Sequence, residues 1–460
     1  MAHRRWIFGL YLCLLCTVGC ASLPDIAPGA APSSTIPVNL EGARGPLSPT
    51  QSKVILDRLR SSSPDSNIFD RHLALEEAMT GSPLNTGNKV QLLLDGPATY
   101  EAMLSAIASA KDHVNMETYI MDDDDVGRNF AKALVDKQMQ GVQVNLIRDS
   151  VGTLGTPSEF FQALIDKGIK VVEFNPINPL VAGTAWSPNR RDHRKLLIVD
   201  GSKAFLGGIN ISSVYSGGSF GKGARNRKDG TLAWRDTDLQ LEGPVVAELQ
   251  KLFLGTWEKQ KGGPLPQRNY FPPAKSVGQT VVRAIGSTPD EPYSQIYAAL
   301  LSAIGNAETS VYLTNAYFAP DPQLLAALAA AVARGVDVKL ILPSQTDSWL
   351  VFHAGRGYYT RLLKAGIKIF QLKGAILHSK TALIDGVWAT VGSTNLDWRS
   401  FLHNQELDAV VLGAEFGSRV QAMFDRDLAS SDEVLLAQWE RRTLDLRFKE
   451  FFARMWEYWL

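Results

Sequence analysis

From Lys89 onward the apolar positions fall into two alternating patterns. Val90–Leu94, Val114–Met121 and Val142–Arg148 are short apolar runs of strand length. Between them, Tyr100–Lys111 and Val126–Gln140 space apolar residues three and four apart, as a helix with one buried face requires. The order recurs later: Tyr293–Asn306 predicts a helix, Ser310–Phe318 a strand, Gln323–Arg334 a helix and Val336–Leu342 a strand. Gly141 and Gly335 close the second helix of each set. Strands alternating with helices of this length predict an α/β layered domain with a largely parallel sheet.

The two sets are copies of one unit. Gly141-Val142-Gln143-Val144 matches Gly335-Val336-Asp337-Val338 at an offset of 194 positions, and later landmarks match at 185. A repeat this long means two related domains, since solenoid units run to about 20–50 residues. The Gly/Pro-rich stretch Gly262–Ser276 marks the boundary. The expected division is an N-terminal lobe at 86–265 and a C-terminal lobe at 270–430. Residues 21–85 precede them as a tether and lead-in, with Lys53–Arg60 as a short helix. The Pro/Ala/Gly/Ser content of residues 21–50 predicts that this part does not fold alone. A tail at 431–460 carries Phe448, Phe451, Phe452, Met455, Trp456 and Trp459 at helical spacing. That spacing suits packing on a lobe or contact with a membrane interface.

Composition narrows the choices. The 460 residues suffice for two cored lobes, and 45% apolar with 20% charged residues is ordinary for a folded protein. Basic and acidic residues balance at 47 each, which argues against nucleic acid as the partner. The three cysteines (Cys13, Cys16, Cys20) all lie in the first 20 residues, leaving the body without disulfides or thiolate metal sites. Residues 1–20 read as a signal segment: His3, Arg4 and Arg5 precede an apolar run from Trp6 to Gly19, shorter than the roughly 20 residues of a spanning helix. Thr17-Val18-Gly19-Cys20 resembles a bacterial lipobox, with Thr17 where that pattern usually has Leu, and makes Cys20 the expected lipidation site. An exported, membrane-anchored lipoprotein facing the periplasm follows. Ala21-Ser22 lacks the Asp that commonly retains such proteins at the inner membrane, so the outer membrane is favoured.

The chemistry sits at matching places in the two copies. The first reads His193-Arg194-Lys195, then Asp200-Gly201 and Gly207-Gly208-Ile209-Asn210. The second reads His378-Ser379-Lys380, then Asp385-Gly386 and Gly392-Ser393-Thr394-Asn395. His, Lys, Asp and Asn are each displaced by 185 positions. Residues two apart on a strand share a face, so each imidazole projects beside its ammonium group. Asp-Gly favours a tight hairpin that returns the Gly-(Gly/Ser)-x-Asn segment towards the histidine, where glycine permits close approach by a ligand. Two imidazoles, two ammonium groups and two amides suit an anionic phosphate with covalent and acid–base work.

These residues resemble the phospholipase D superfamily, whose hallmark His-x-Lys-x4-Asp-x6-Gly-(Gly/Ser)-x-Asn is matched twice without a gap. The resemblance spans roughly residues 88–430, and within the superfamily it is greatest to bacterial cardiolipin synthases. Glu117-Thr118-Tyr119, Trp234-Arg235-Asp236-Thr237 and Thr314-Asn315-Ala316-Tyr317 support it. It implies two α/β lobes, each a mixed sheet flanked by helices, related by pseudo-twofold symmetry with one active site at their interface. It further implies a phosphohistidine mechanism with His193 as nucleophile and His378 as acid and base. Lys195, Lys380, Asn210 and Asn395 would hold the phosphate oxygens, and Asp200 and Asp385 would be structural. No cofactor or metal is called for.

A catalytic histidine needs an orienting carboxylate. Sliding Asp238-Leu239-Gln240 onto Asp408-Ala409-Val410 aligns Asp236 with Glu406 and nominates both. Arg190, Arg191 and Arg194 crowd His193, either attracting an anionic headgroup or forming a solvated basic loop. Asp122–Asp125 reads as a solvated loop, and Ser216–Gly230 as a surface insertion. The expected substrate is a phospholipid such as phosphatidylglycerol, passed to an alcohol to give cardiolipin. Water as acceptor would make the protein a phospholipase D. A nuclease and a non-enzymatic lipid-binding scaffold are the other readings, the scaffold disfavoured because both half-sites are intact. Oligomeric state is not legible.

Overall fold

A computed structural model of the chain describes residues 38–62, 66–178, 187–218 and 232–460. The signal segment with Cys20 lies outside the described residues, as does most of the Ser216–Gly230 insertion.

Each lobe is built on seven strands. In the first these are β1 (Leu84–Leu93), β2 (His113–Thr118), β3 (Gln143–Asp149), β4 (Lys170–Phe174), β5 (Leu196–Val199), β6 (Lys203–Gly207) and β7 (Asp238–Glu242). In the second they are β8 (Thr280–Ser287), β9 (Ser310–Asn315), β10 (Asp337–Pro343), β11 (Lys368–Leu372), β12 (Lys380–Ile384), β13 (Trp388–Gly392) and β14 (Asn404–Leu412). The strand order is 4-3-2-5-6-7-1 in the first lobe. It is 11-10-9-12-13-14-8 in the second, the same order seven strands on. The equivalent edge strands β1 and β8 pair antiparallel, joining both sheets through the pseudo-twofold.

The largely parallel sheet is corrected by this topology. Only β2–β3–β4 and β9–β10–β11 run parallel, and the other four strands of each lobe are antiparallel. Helical crossovers generate the first kind of pairing; the Asp-Gly hairpins β5–β6 and β12–β13, with longer returns of the chain, generate the second. Asp124 and Asp321 cap the equivalent helices Asp125–Met139 and Pro322–Ala333 by accepting backbone N–H bonds, which accounts for part of the acidic run. Asp123 pairs with Arg128 at 2.7 Å.

The tether expectation also changes for residues 38–50. Leu40–Gly42 pairs parallel with the start of β1, and Leu40 is fully buried. Three helices follow, Pro49–Ser61, Ile68–Arg71 and Leu73–Thr80. Their Leu56, Leu59, Phe69 and Leu73 join the core of the C-terminal lobe, against Ile304, Leu340 and Trp388. Glu76 is buried there, 3.4 Å from both Arg283 and His72, and accepts from Trp388 Nε1 at 3.3 Å. Burial alone would raise the Glu76 carboxyl, but Arg283 and His72 outweigh it and hold the group below its ordinary value. The lead-in is therefore part of the second lobe, because apolar residues too sparse to fold alone find a ready core there. Phe69→Ala should lower unfolding stability by about 3–5 kcal/mol, read from the urea midpoint. A loss below about 1 kcal/mol, as for a surface position, would return this segment to a tether.

Candidate active site

Both Asp-Gly hairpins are left-handed at their two central residues: φ is 51° and 60° at Asp200 and Gly201, and 50° and 67° at Asp385 and Gly386. Aspartate tolerates this conformation better than most residues, and here its carboxylate also has work. Asp200 accepts from the backbone N–H groups of Lys111, Asp112 and His113, at 2.8–3.1 Å for the shortest contact of each. Asp385 does the same for Glu308, Thr309 and Ser310 at 2.8–3.0 Å. Each turn is thus stitched to the start of β2 or β9, which fixes the hairpin carrying the His-x-Lys pair.

Two small parallel bridges then cross between the lobes. Arg191–Asp192 pairs with Asn404–Gln405, and Trp234–Arg235 pairs with Ile376–Leu377. The next residue on each strand is a proposed catalytic or orienting group. His193 donates its backbone N–H to Gln405 O at 2.9 Å, and His378 donates to Arg235 O at 2.8 Å. In consequence the carboxylates are exchanged between the copies. His193 Nδ1 lies 3.0 and 3.1 Å from the Glu406 oxygens, and His378 Nδ1 lies 2.6 Å from Asp236 Oδ2. With Nδ1 committed to a carboxylate, Nε2 is the nitrogen of each ring not held by one, and at His378 it lies 3.1 Å from Lys380 Nζ.

Each carboxylate is held in turn. Glu406 accepts from Ser393 Oγ at 2.5 Å and from Asn404 Nδ2 at 3.1 Å, while Asp236 accepts from the Thr237 N–H at 2.7 Å. Gly208 is the counterpart of Ser393. A Cβ at Gly208 would lie 2.3 Å from Asp236 Oδ1, so the shorter carboxylate requires glycine where the longer one takes a serine hydroxyl. The same geometry corrects the role expected of Gly207, Gly208 and Gly392. The space beside Gly207 and Gly392 is filled by Asp238 and Asp408, whose Oδ1 atoms lie 2.1 Å from a built Cβ. These glycines admit carboxylates of the neighbouring strand, not a ligand. Asp238 and Asp408 were seen in the sequence only as alignment markers. Asp238 accepts from the Ile209 N–H, and Asp408 from the Ser393 and Thr394 N–H groups, so they hold the loops ending in Asn210 and Asn395.

The two asparagines differ. Asn210 is engaged: Oδ1 accepts from the Ile120 N–H and Nδ2 donates to Tyr215 Oη at 3.0 Å. Asn395 Oδ1 is buried without a hydrogen-bond partner among the described residues. Lys195 lies 5.1 Å from the centroid of the Tyr119 ring and Lys380 lies 5.9 Å from that of Tyr317. Those tyrosines, with Tyr215 and Trp234 against His378, complete the walls. Tyr119 lies one residue past β2 and Tyr317 two residues past β9, so the pseudo-twofold does not superpose them, and their place just after matching strands was the only signal in the sequence.

Burial and mutual repulsion set the protonation states. His193 is driven well below the ordinary imidazole value by burial first, then by the charges of Lys195 and Lys380. His378 is lowered by burial and Lys380, against the opposing pull of Asp236. Both imidazoles therefore favour their neutral form. Lys195 is lowered to about 7, chiefly by burial, with Glu406 working the other way, and burial lowers Lys380 too. Burial raises Glu406, and Lys195 opposes that rise. Such a site is short of negative charge, and a phosphate supplies it.

The arginine cluster proves structural. Arg191 is buried and donates to Ser150 Oγ, Asn175 O and Ser187 O. Arg194 is buried and donates across the lobes to Glu406 O and Ser287 O, and within its own lobe to Thr256 Oγ1. Arg190 is paired with Asp290 at 2.5 Å on the surface. Arg191 and Arg194 are therefore not part of a solvated loop, while Arg190 stays exposed beside Asp290.

A family profile described as "Cardiolipin synthase, PLD-like domain" matches residues 103–217 and 300–428. The chain is 32% identical over 378 residues to a cardiolipin synthase of Alkalihalophilus pseudofirmus, covering 81% of this chain and 73% of that protein. It is 32% identical over 387 residues to a cardiolipin synthase of a Geobacillus species, covering 83% and 74%. Among solved structures, phosphatidylserine synthase of Haemophilus influenzae superposes with a TM-score of 0.59 at 11% identity, covering 81% of this chain and 95% of that one. That last likeness is one of fold.

Because Lys195 is charged below about pH 7 and neutral above it, affinity for sulfate, an anion of constant charge, should fall as pH rises through that value. Lys195→Arg, whose guanidinium stays charged, should flatten the fall. Calorimetric titrations between pH 6 and 9 check it, and an unchanged wild-type affinity across that range contradicts the assignment.

Proposed function

The chain belongs to the cardiolipin synthase family with phospholipase D-like domains, and on that premise we propose that it transfers a phosphatidyl group from one phosphatidylglycerol to the headgroup hydroxyl of another. The observation that carries this reading is the crossed arrangement, in which two neutral, carboxylate-oriented imidazoles share a buried site with two ammonium groups. In the first step His193 Nε2 attacks phosphorus and the P–O bond to the departing glycerol breaks. His378, protonated at Nε2, gives that proton to the leaving oxygen. Lys380 is a main cause of the lowered His378 pKa, and a bound phosphodiester anion offsets its charge, which favours the protonated ring beside Asp236. In the second step His378 accepts the proton of the incoming hydroxyl, whose oxygen attacks phosphorus as the P–N bond breaks. Cardiolipin leaves and His193 is restored.

Lys195, Lys380 and Asn395 are the groups we assign to the phosphate oxygens, with electrostatic stabilisation as the main source of rate. Asn210 is assigned a shared role, since its amide also orients Tyr215 beside His378. Asp200 and Asp385 are assigned to the hairpins alone.

The same reading extends to location: an exported lipoprotein anchored through Cys20, facing the periplasm, with the outer membrane favoured. Its support is the apolar run Trp6–Gly19 and the Thr17–Cys20 pattern. Among the described residues no helix is long and apolar enough to cross a membrane.

Purified protein incubated with phosphatidylglycerol vesicles should yield cardiolipin and glycerol by thin-layer and mass-spectrometric analysis. His193→Ala and His378→Ala should each reduce the rate by about 10³-fold or more. Phosphatidic acid without cardiolipin would make the protein a hydrolase. Unchanged lipid would end the phospholipid reading for this substrate.

A further inference from the structure

The terminal helix Leu444–Arg454 is inside out. Leu444, Phe448, Phe451 and Met455 follow one another at four, three and four residues, a single stripe along a helix. They are 80%, 67%, 66% and 67% exposed. The opposite face is buried and carries a charge: Glu450 is 2% exposed, pairs with Arg442 at 2.9 Å and lies 3.9 Å from Arg356. A helix that buries its glutamate and presents phenylalanine to solvent has been selected for something beyond packing on its own lobe. Trp456 and Trp459 follow in the chain and Trp349 opens the helix on which the terminal helix packs; with the stripe these seven side chains leave roughly 900 Å² uncovered at about 150–250 Å² per aromatic residue. Isolated monomers rarely leave more than about 600 Å² in one patch.

The charges around the stripe identify what covers it. The acidic groups of this segment are all spent within the protein: Glu440 on Lys364, Asp445 on Lys449, Glu450 on Arg442 and Glu457 on Arg454. Exposed Arg441 and Arg447 form no ion pair among the described residues. An apolar stripe with surplus cations beside it complements an anionic lipid surface, where aromatic rings settle at headgroup depth. A second copy of the chain fits less well, since a twofold contact through this face would bring those arginines near their own symmetry mates.

The patch also adjoins the catalytic site at two points. The Leu460 carbonyl accepts from the Arg399 N–H at 2.7 Å, and the Arg399 guanidinium donates to Asn189 O and Oδ1, four residues before His193. On the other side the terminal helix packs on Trp349–Arg356. Just before that helix, Asp347 accepts from Tyr317 Oη at 2.6 Å, beside His378.

We propose that the outward face of the terminal helix, with Trp456, Trp459 and Trp349, is the surface by which this protein enters an anionic bilayer interface. The contact seats the catalytic site at the layer from which substrate is drawn, and that second statement rests on the phospholipid reading above. It is a contact separate from any anchor at Cys20, and it holds the body of the protein in a fixed orientation.

The test uses the full chain. Replacing Cys13, Cys16 and Cys20 with serine allows one environment-sensitive fluorophore to be attached at Phe451→Cys, or at exposed Ser418→Cys on another helix as a control. With phosphatidylglycerol vesicles the label at 451 should brighten several-fold and be quenched by lipids with nitroxides in their acyl chains, while the label at 418 stays aqueous. A label at 451 that stays aqueous on protein cosedimenting with the vesicles overturns the proposal. So does brightening that needs only higher protein concentration, which would assign the face to a second copy. Cardiolipin is measured in the same samples. Insertion without turnover would sink the catalytic reading and leave this one standing, and turnover without insertion would do the reverse.

Discussion

The structure depends on two parallel bridges of two residues each, Arg191–Asp192 on Asn404–Gln405 and Ile376–Leu377 on Trp234–Arg235. They are related by the same pseudo-twofold that relates the lobes, and each delivers a histidine from one copy onto a carboxylate from the other. Neither lobe alone holds an oriented imidazole. Duplication supplied two equal half-sites, and the crossed bridges make them one site. Buried arginines secure the crossing: Arg235 reaches Asp427 in the second lobe at 2.8 Å, and Arg194 donates to two carbonyls there. Removing either partner would leave an uncompensated charge in the interior, which is costly.

Packing so many ionisable groups into one buried place has chemical consequences. Burial first, and at Lys195 and both imidazoles the neighbouring ammonium charge as well, makes all four groups lose protons more readily than in water. The carboxylates oppose this, but they are engaged at Nδ1 or with neighbouring hydroxyl and amide groups. A buried site with this balance of charge favours an anion. Its electrostatics suit the phosphodiester of the proposed reaction, and the same burial keeps the proposed nucleophile His193 neutral at rest.

Much of this was legible in the chain. The 185-residue displacement of His, Lys, Asp and Asn located both half-sites, and the alternating periods gave the strand and helix order of each lobe. The sliding alignment of Asp238 on Asp408 nominated Asp236 and Glu406. It did not reveal which histidine each serves, because the crossing depends on pairing between segments far apart in sequence. The sheet was read as largely parallel for a related reason: the β5–β6 hairpin was legible, but β7 was not read as a strand, and its antiparallel pairing with β6 and β1 joins segments far apart in sequence. Arg194 was misjudged since sequence shows a charge and not the carbonyls it meets. Residues 38–50 were misjudged since the few apolar residues there, Leu40 among them, find a core only in the folded second lobe. The outward turn of Phe448 and Phe451 needed the burial of Glu450, which no periodicity displays.

The central claim is the exchange of carboxylates between the lobes, and nitrogen-15 NMR of the imidazole side chains tests it most directly. Glu406→Gln should change the ring-nitrogen shifts and tautomer of His193 while leaving His378 as it was, and Asp236→Asn should change His378 while sparing His193. Each substitution perturbing the histidine of its own lobe, or neither ring responding, would contradict the crossed arrangement on which the account rests.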